Sequence, residues 1–280
     1  MRQRKIRGKA FLLLLCAVTL FILFLFTISL RKVENVALIR IIGEINSDSS
    51  IFGGVSSVEI VRQLELAAGD PNIMAIVLEI NSPGGSVVAI DEVIRKLSEI
   101  NKPKVAWIRE MGTSGAYWIA TYCDKIIAND FSLTGSIGVT ASYLEFSGFL
   151  ERYNISYIRI VSGERKDIGS PFKKPTEEEI NIFMEIVREI HRKFIQDVAR
   201  NRGLNESYVA EIADGSIFLG KRALELRLVD KLGSEKEVKE MVKELSKVKE
   251  VRFKGFEERL DLWKLLFSLF PSSPLLRLMA

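Results

Sequence analysis

A single histidine, His191, stands in a chain of 280 residues. That scarcity rules out a polyhistidine metal centre and leaves one imidazole to activate any nucleophile. Cysteine is nearly as rare. Cys16 and Cys123 lie in unlike surroundings, so no disulfide framework is expected. No His/Cys/Asp cluster has metal-ligand spacing and no GxxxxGK[ST] phosphate loop occurs, so neither a metal nor a cofactor is expected. Charge of one sign is also lacking: 40 Lys and Arg against 36 Asp and Glu leave +4. No arginine-rich or lysine–aromatic face stands out, which argues against nucleic acid as a partner. No internal repeat is present, since "NSPGG" and "TSG" each occur once. What the chain does have is 48% hydrophobic residues, enough for a large core in one or two domains.

One further absence is local. Residues 10–30, "AFLLLLCAVTLFILFLFTISL", contain no charge, whereas residues 1–9 carry five basic groups and no acid. About twenty apolar residues in helical form match the hydrocarbon thickness of a bilayer. The basic flank places the N-terminus in the cytoplasm and the rest of the chain outside. A cleaved signal peptide would have a shorter apolar stretch of about 7–15 residues and an A-x-A site, and no such site follows. An uncleaved single-pass anchor in the cell membrane is therefore expected, with Cys16 a thiol within the span rather than a lipidation site.

Beyond the anchor, strand-like and helix-like segments alternate. "NVALIRIIGEI" reads as a strand and "SVEIVRQLELAAGD" as a helix. "NIMAIVLEI" is a near-continuous apolar run of strand length, typical of a strand covered on both faces. After the turn "NSPGG", apolar residues at 87, 90, 93, 94, 97 and 100 fit an amphipathic helix. "KVAWI" and "KIIAN" read as strands, residues 142–153 as a helix and residues 156–163 as a strand. Thr176 and three following glutamates open a long helix that closes at Gly203. This alternation predicts an α/β fold with a largely parallel sheet. In the tail, residues 256–280, Phe256, Leu260, Trp263, Phe267 and Phe270 share one helical face. Such a face fits the membrane interface, a neighbouring subunit or the domain itself.

Chemistry concentrates around Ser114, in "MGTSGAYWIA". A serine before a run of helix-forming residues is equally an N-cap and a nucleophile, and the local sequence does not separate the two. His191 shares a helical face with Met184, Val187, Phe194 and Val198, the setting of a packed core histidine more than of a base. A lysine can be the base when burial lowers its pKa towards neutrality. Lys166, in "SGERKDIGSP", sits in a glycine-flanked loop after a predicted strand, which also suits an ordinary exposed lysine. The pair Gly84–Gly85 stands at a strand-to-helix junction that could aim N–H groups at an oxyanion, or simply form a tight turn.

Taken together, "NSPGG", "MGTSGAYWIA", "TGSIGV" and "SGERKDIGSPF", in that order, resemble the signal peptide peptidase A family, the membrane-bound serine proteases of peptidase family S49, in its short single-repeat form. The resemblance covers roughly residues 36–235, including "ADGSIFLGKRALELRLVDKLG". It implies a Clp/crotonase-like fold of repeated ββα units and an S49 peptidase domain over residues 33–255. It also implies Ser114 as nucleophile, Lys166 as general base and Ser136 as the hydroxyl that orients the lysine. The oxyanion donors would be the N–H groups of Gly85 and Gly115. Ala116 departs from the pattern, where relatives commonly have a second glycine. The implied substrates are remnant signal peptides, and the implied assembly is a homo-oligomeric ring in which Lys166 serves the neighbour's Ser114. A Clp-type peptidase needs a histidine soon after the serine, and residues 115–136 contain none. A catalytically silent membrane scaffold with the same fold is the alternative from another class.

Overall fold

The computed structural model describes residues 34–48 and 53–257. In chain order the elements are β1 (Val36–Ile42), the short strands β2 (Ile45–Asn46) and β3 (Val55–Ser56), helix α1 (Ser57–Gly69) and β4 (Ala75–Ser82). Then come α2 (Val87–Glu99), β5 (Lys104–Thr113), α3 (Gly115–Ala120), β6 (Lys125–Ala128), β7 (Leu133–Gly135) and α4 (Ser147–Arg152). The chain continues through α5 (Glu177–Arg202), α6 (Glu206–Ile212), β8 (Ile217–Leu219), α7 (Gly220–Glu225), β9 (Lys231–Leu232), α8 (Glu235–Ser246) and β10 (Phe253–Gly255).

The main sheet runs β10-β1-β4-β5-β6-β9, and every one of these pairs is parallel. β5 is long enough to take two partners on one side. β6 pairs with Val105–Ile108, and β7 pairs with Met111–Thr113. β8 closes that corner antiparallel to β7. A mixed α/β architecture with a parallel-rich sheet is thus what the alternation predicts.

Side-chain alternation sorts the strands onto two faces. Ile39, Ile41, Ile76, Leu78, Ile80 and Ile108 join one large cluster with residues of α1, α2, α3 and α5. Val36, Leu38, Val77, Val105 and Ile127 point the other way, onto Val238 and Val242 of α8. Both faces of β4 are therefore covered, and its near-continuous apolar run has its explanation. Where α8 does not reach, Glu79 sits 4% exposed between Arg40 and Arg109, at 3.0 and 2.7 Å.

The start of α5 carries the expected cap: Thr176 and Glu179 form a reciprocal capping box, and Gly203 ends the helix at φ 62°. Two expectations are corrected. The helix expected over 142–153 is only α4, and residues 156–163 form no strand. "SYIRIV" has strand-like alternation, but a strand exists only where a neighbour completes its ladder. Here Ile158 and Ile160 are 77% and 90% exposed, with no paired strand among the described residues. The anchor at 10–30 and all of the tail stripe except Phe256 lie outside the described residues; Phe256 packs against the main cluster. Among the described residues no helix is long and apolar enough to cross a membrane.

Candidate functional site

Parallel α/β sheets present ligands at the carboxyl ends of their strands, because successive loops converge there. β4, β5 and β7 end in Ser82, Thr113 and Gly135, and the residues just beyond them meet. Gly85, Ser114, Gly115 and Ser136 line one cavity of about 460 Å³.

Ser114 occupies the N-cap position of α3, and its carbonyl accepts the first helical bond from Trp118 N–H at 3.0 Å. Its hydroxyl makes no cap hydrogen bond, so the side chain is not spent on the helix. The backbone is at φ 53°, ψ −128°, a region that disfavours side chains and costs on the order of 1–3 kcal/mol. Two features hold it there. Ser114 N–H donates to Gly135 O at 2.9 Å, and Gly84 lies directly beneath. A Cβ on Gly84 would come within 2.9 Å of Gly115 N and 3.0 Å of Ser114 Cβ. Only glycine permits that approach, with φ at 105°.

The second wall is the turn at Gly85. A single parallel bridge joins it to Ile45, through Ile45 N–H to Gly84 O and Ser86 N–H to Ile45 O, each 2.9 Å. The Gly85 N–H takes no part in that bridge. A Cβ on Gly85 would overlap Ile45 O at 1.9 Å. Gly115 N–H, in the first turn of α3, has no intrahelical acceptor. A Cβ built on Gly115 would stand 3.6 Å from Gly85 N, so the two N–H-bearing residues are neighbours. A half-buried hydroxyl beside two uncommitted backbone donors can bind a carbonyl group and stabilise negative charge on its oxygen.

Ser136 is also at positive φ, 51°, with its N–H on Ser216 O at 2.7 Å. It follows Gly135, the residue that receives the Ser114 N–H. Lys166 is different. It is exposed, on a turn where its N–H donates to Gly163 O at 3.0 Å, and it does not line the cavity. Its neighbour Asp167 anchors that turn through Arg159 at 2.7 Å and Lys173 at 3.3 Å. The hydrogen bond from Arg159, with help from Lys173, lowers the Asp167 carboxyl to about 2.

His191, expected as a packed core residue, lines the cavity. Its Nε2 is shielded from solvent without a hydrogen-bond partner among the described residues. Trp118, Ile190 and Phe194 also contribute to the cavity, although no sequence motif marks them as part of it. The i, i+4 spacing of Ile190 and Phe194 on one apolar helix face was the available signal. Cys123 is buried, and burial pushes its thiol up, out of reach of the thiolate chemistry that a nucleophile needs.

Known proteins match the same region. The model of peptidase family S49 matches residues 96–249, more than half of the chain. Over 204 residues the chain is 34% identical to a putative protease of Methanocaldococcus jannaschii, covering 71% of this chain and 66% of that protein. It is 35% identical over 191 residues to a putative signal peptide peptidase SppA of Enterococcus faecium, covering 67% and 56%. Against Protease 4 of Haemophilus influenzae it is 31% identical over 205 residues, covering 69% and 33%. The chain thus matches about two thirds or less of the length of these curated relatives. Ser114, Ser136 and Lys166 fall inside the interval matched by the family, and Gly85 lies before it.

Proposed function

Since the chain belongs to peptidase family S49, we propose that it is a membrane-anchored serine endopeptidase with Ser114 as nucleophile and Lys166 as general base. The observation that carries this reading is the junction at Ser114, where a strained turn leaves the hydroxyl free beside the N–H groups of Gly85 and Gly115. In the proposed reaction, neutral Lys166 Nζ takes the proton of Ser114 Oγ as the oxygen attacks the peptide carbonyl. The oxyanion is held by the two N–H donors, and the lysine returns the proton to the departing amine. Water then cleaves the acyl-enzyme by the same route. Ser136 orients the lysine amine. No metal or other cofactor enters these steps.

Lys166 lies outside the cavity lined by its own chain's Ser114, which suits a site completed by a second copy. We therefore extend the proposal to a homo-oligomeric ring in which each lysine serves the neighbouring serine. The substrates are remnant signal peptides or other membrane-associated peptides. The proposed setting is the cell membrane, with residues 1–9 cytoplasmic, 10–30 as anchor, and a peptidase domain over 33–255 followed by a tail over 256–280 on the outer side.

The same position of Lys166 favours a second reading, a silent scaffold whose serine has no base. A fluorophosphonate probe on the full chain in detergent micelles separates the two. The peptidase labels, and Ser114→Ala and Lys166→Ala each abolish labelling. A folded parent that takes no label supports the scaffold, and undiminished labelling of Lys166→Ala removes the lysine from the mechanism.

A further inference from the structure

The apolar lining of the cavity comes from a few side chains, chiefly Ile90, Trp118, Ile190 and Phe194. Trp118 is gripped twice. Its ring stacks on Phe194 with centroids 4.5 Å apart and planes 9° from parallel. Its Nε1–H donates to Asp197 Oδ2 at 3.0 Å. Asp197 itself is 1% exposed and does not line the cavity.

A carboxylate so deeply buried is costly unless every oxygen is occupied. Here the two oxygens divide their partners. Oδ2 receives Trp118 and the Tyr122 hydroxyl, at 3.0 and 2.7 Å, both from α3 and the turn after it. Oδ1 receives Lys193 at 2.6 Å and Arg200 at 2.7 Å, both from α5. Burial alone would push the Asp197 carboxyl up, but the Lys193, Tyr122 and Trp118 hydrogen bonds outweigh it and hold it low. The carboxylate is therefore a rivet between the helix that begins at Ser114 and the helix that carries Phe194. Apolar packing alone would join two helices at less desolvation cost. What the rivet adds is a fixed orientation of the indole.

We propose that the Trp118–Phe194 stack is the end wall of the pocket that receives a substrate's apolar side chain, and that Asp197 is the positioning residue that fixes where the wall stands. The proposal rests on the reading of Ser114 as nucleophile, since that reading brings the scissile carbonyl, and with it the adjacent side chain, into this cavity. The lining also sets the class of side chain. Among the described residues its only carboxylate is Asp214, at the exposed edge, and besides Ser114 its other polar groups are Ser136, Thr140 and His191. The Trp118 end therefore suits apolar side chains, and Asp214 disfavours acidic ones. Asp197 never touches substrate; it acts through Trp118.

The test uses the full chain in detergent micelles and two peptides that differ only in the residue before the scissile bond, alanine in one and phenylalanine in the other. Trp118→Phe removes the indole N–H and shortens the wall. The phenylalanine-to-alanine ratio of kcat/KM is expected to rise about 10-fold, the usual scale for added room in an apolar pocket. Asp197→Ala shifts the ratio in the same direction, and Asp197→Asn, which keeps an acceptor for the indole, restores it towards the parent. A purely structural role would lower both rates and leave the ratio alone, and that result overturns the proposal. If Asp197→Ala does not fold, Trp118→Phe decides. If the parent cleaves neither peptide and takes no fluorophosphonate label, the peptidase reading fails on its own, and the same ratio is read from calorimetric binding constants. A ratio unmoved in that readout overturns the wall independently.

Discussion

Along β1, β4 and β5 most apolar side chains are buried, whereas between residues 138 and 175 Leu144, Phe149, Ile158 and Ile160 stand largely in solvent. The two regions are joined at Ser136 and Ile137, yet they are held together differently. The sheet region closes its own core on both faces. The arm keeps its shape through aromatic pairs, Tyr157–Phe172 and Tyr143–Phe183, and through the ion pairs around Asp167. Ser114, Gly85 and Gly115 belong to the first region, and Lys166 to the second. The difference teaches that this chain carries its proposed nucleophile on a self-sufficient scaffold and its proposed base on a surface that still offers apolar area to a partner.

The most severe way to break the comparison is to disable one region at a time. Lys166→Arg is expected to lose hydrolysis as fully as Lys166→Ala, because a guanidinium keeps its proton and cannot act as base. Ser114→Ala is equally inactive. Refolded together in equal amounts, Ser114→Ala and Lys166→Ala chains are expected to regain about one active junction in four, as head-to-tail interfaces dictate. Mixed rings without activity would confine the pair to one chain. Ser136→Ala tests the joint between the regions: turnover is expected to fall roughly 10- to 1,000-fold in a folded protein, the loss of an orienting contact. Unchanged kinetics would make Ser136 a plain turn residue.

Smaller effects separate core from arm by stability. Ile39→Ala, in the packed sheet, is expected to cost about 2–5 kcal/mol in denaturant unfolding. Ile160→Ala, at 90% exposed, is expected to stay within about 0.5 kcal/mol for the isolated chain. Ile160→Asp is expected to weaken assembly in sedimentation if the arm meets a neighbour. pH sharpens the contrast further. The Asp167 carboxyl is lowered in the folded chain to about 2, so its contribution is complete above the ordinary carboxylate range. It is lost progressively as pH falls from that range down through about 2. Proteolysis of the 160–173 turn should therefore be flat from neutrality to mild acid, whereas Asp167→Asn should accelerate it at neutral pH.

Much of the sheet region was legible because burial and periodicity agree there. The runs in β1, β4 and β5 and the spacing in α2 and α5 were strong enough to mark their elements, and the glycine pair and Ser114 announced the cavity. Short strands such as β7 and β8 carry three residues each, too few for any period to show. Residues 156–163 misled for the opposite reason: the alternation is present, but strand formation depends on a partner that lies elsewhere in sequence or in another chain. The Asp197–Trp118 contact was invisible because it spans 79 positions, and nothing local to either residue signals the other. As for the choice at Ser114 between cap and nucleophile, the position is indeed a helix start, yet the hydroxyl does no capping.

That last detail implies an inverted relation between working and lasting. The φ and ψ of Ser114 are those of the first central residue of a type II′ turn, a place where glycine is preferred. Ser114→Gly should therefore melt at a higher temperature than the parent, by a margin of about 1 kcal/mol, while losing its proposed nucleophile altogether. Ser114→Ala, keeping Cβ, should gain none of this. Stability alone favours glycine at this position, so the serine trades robustness for the oxygen that the proposed reaction uses.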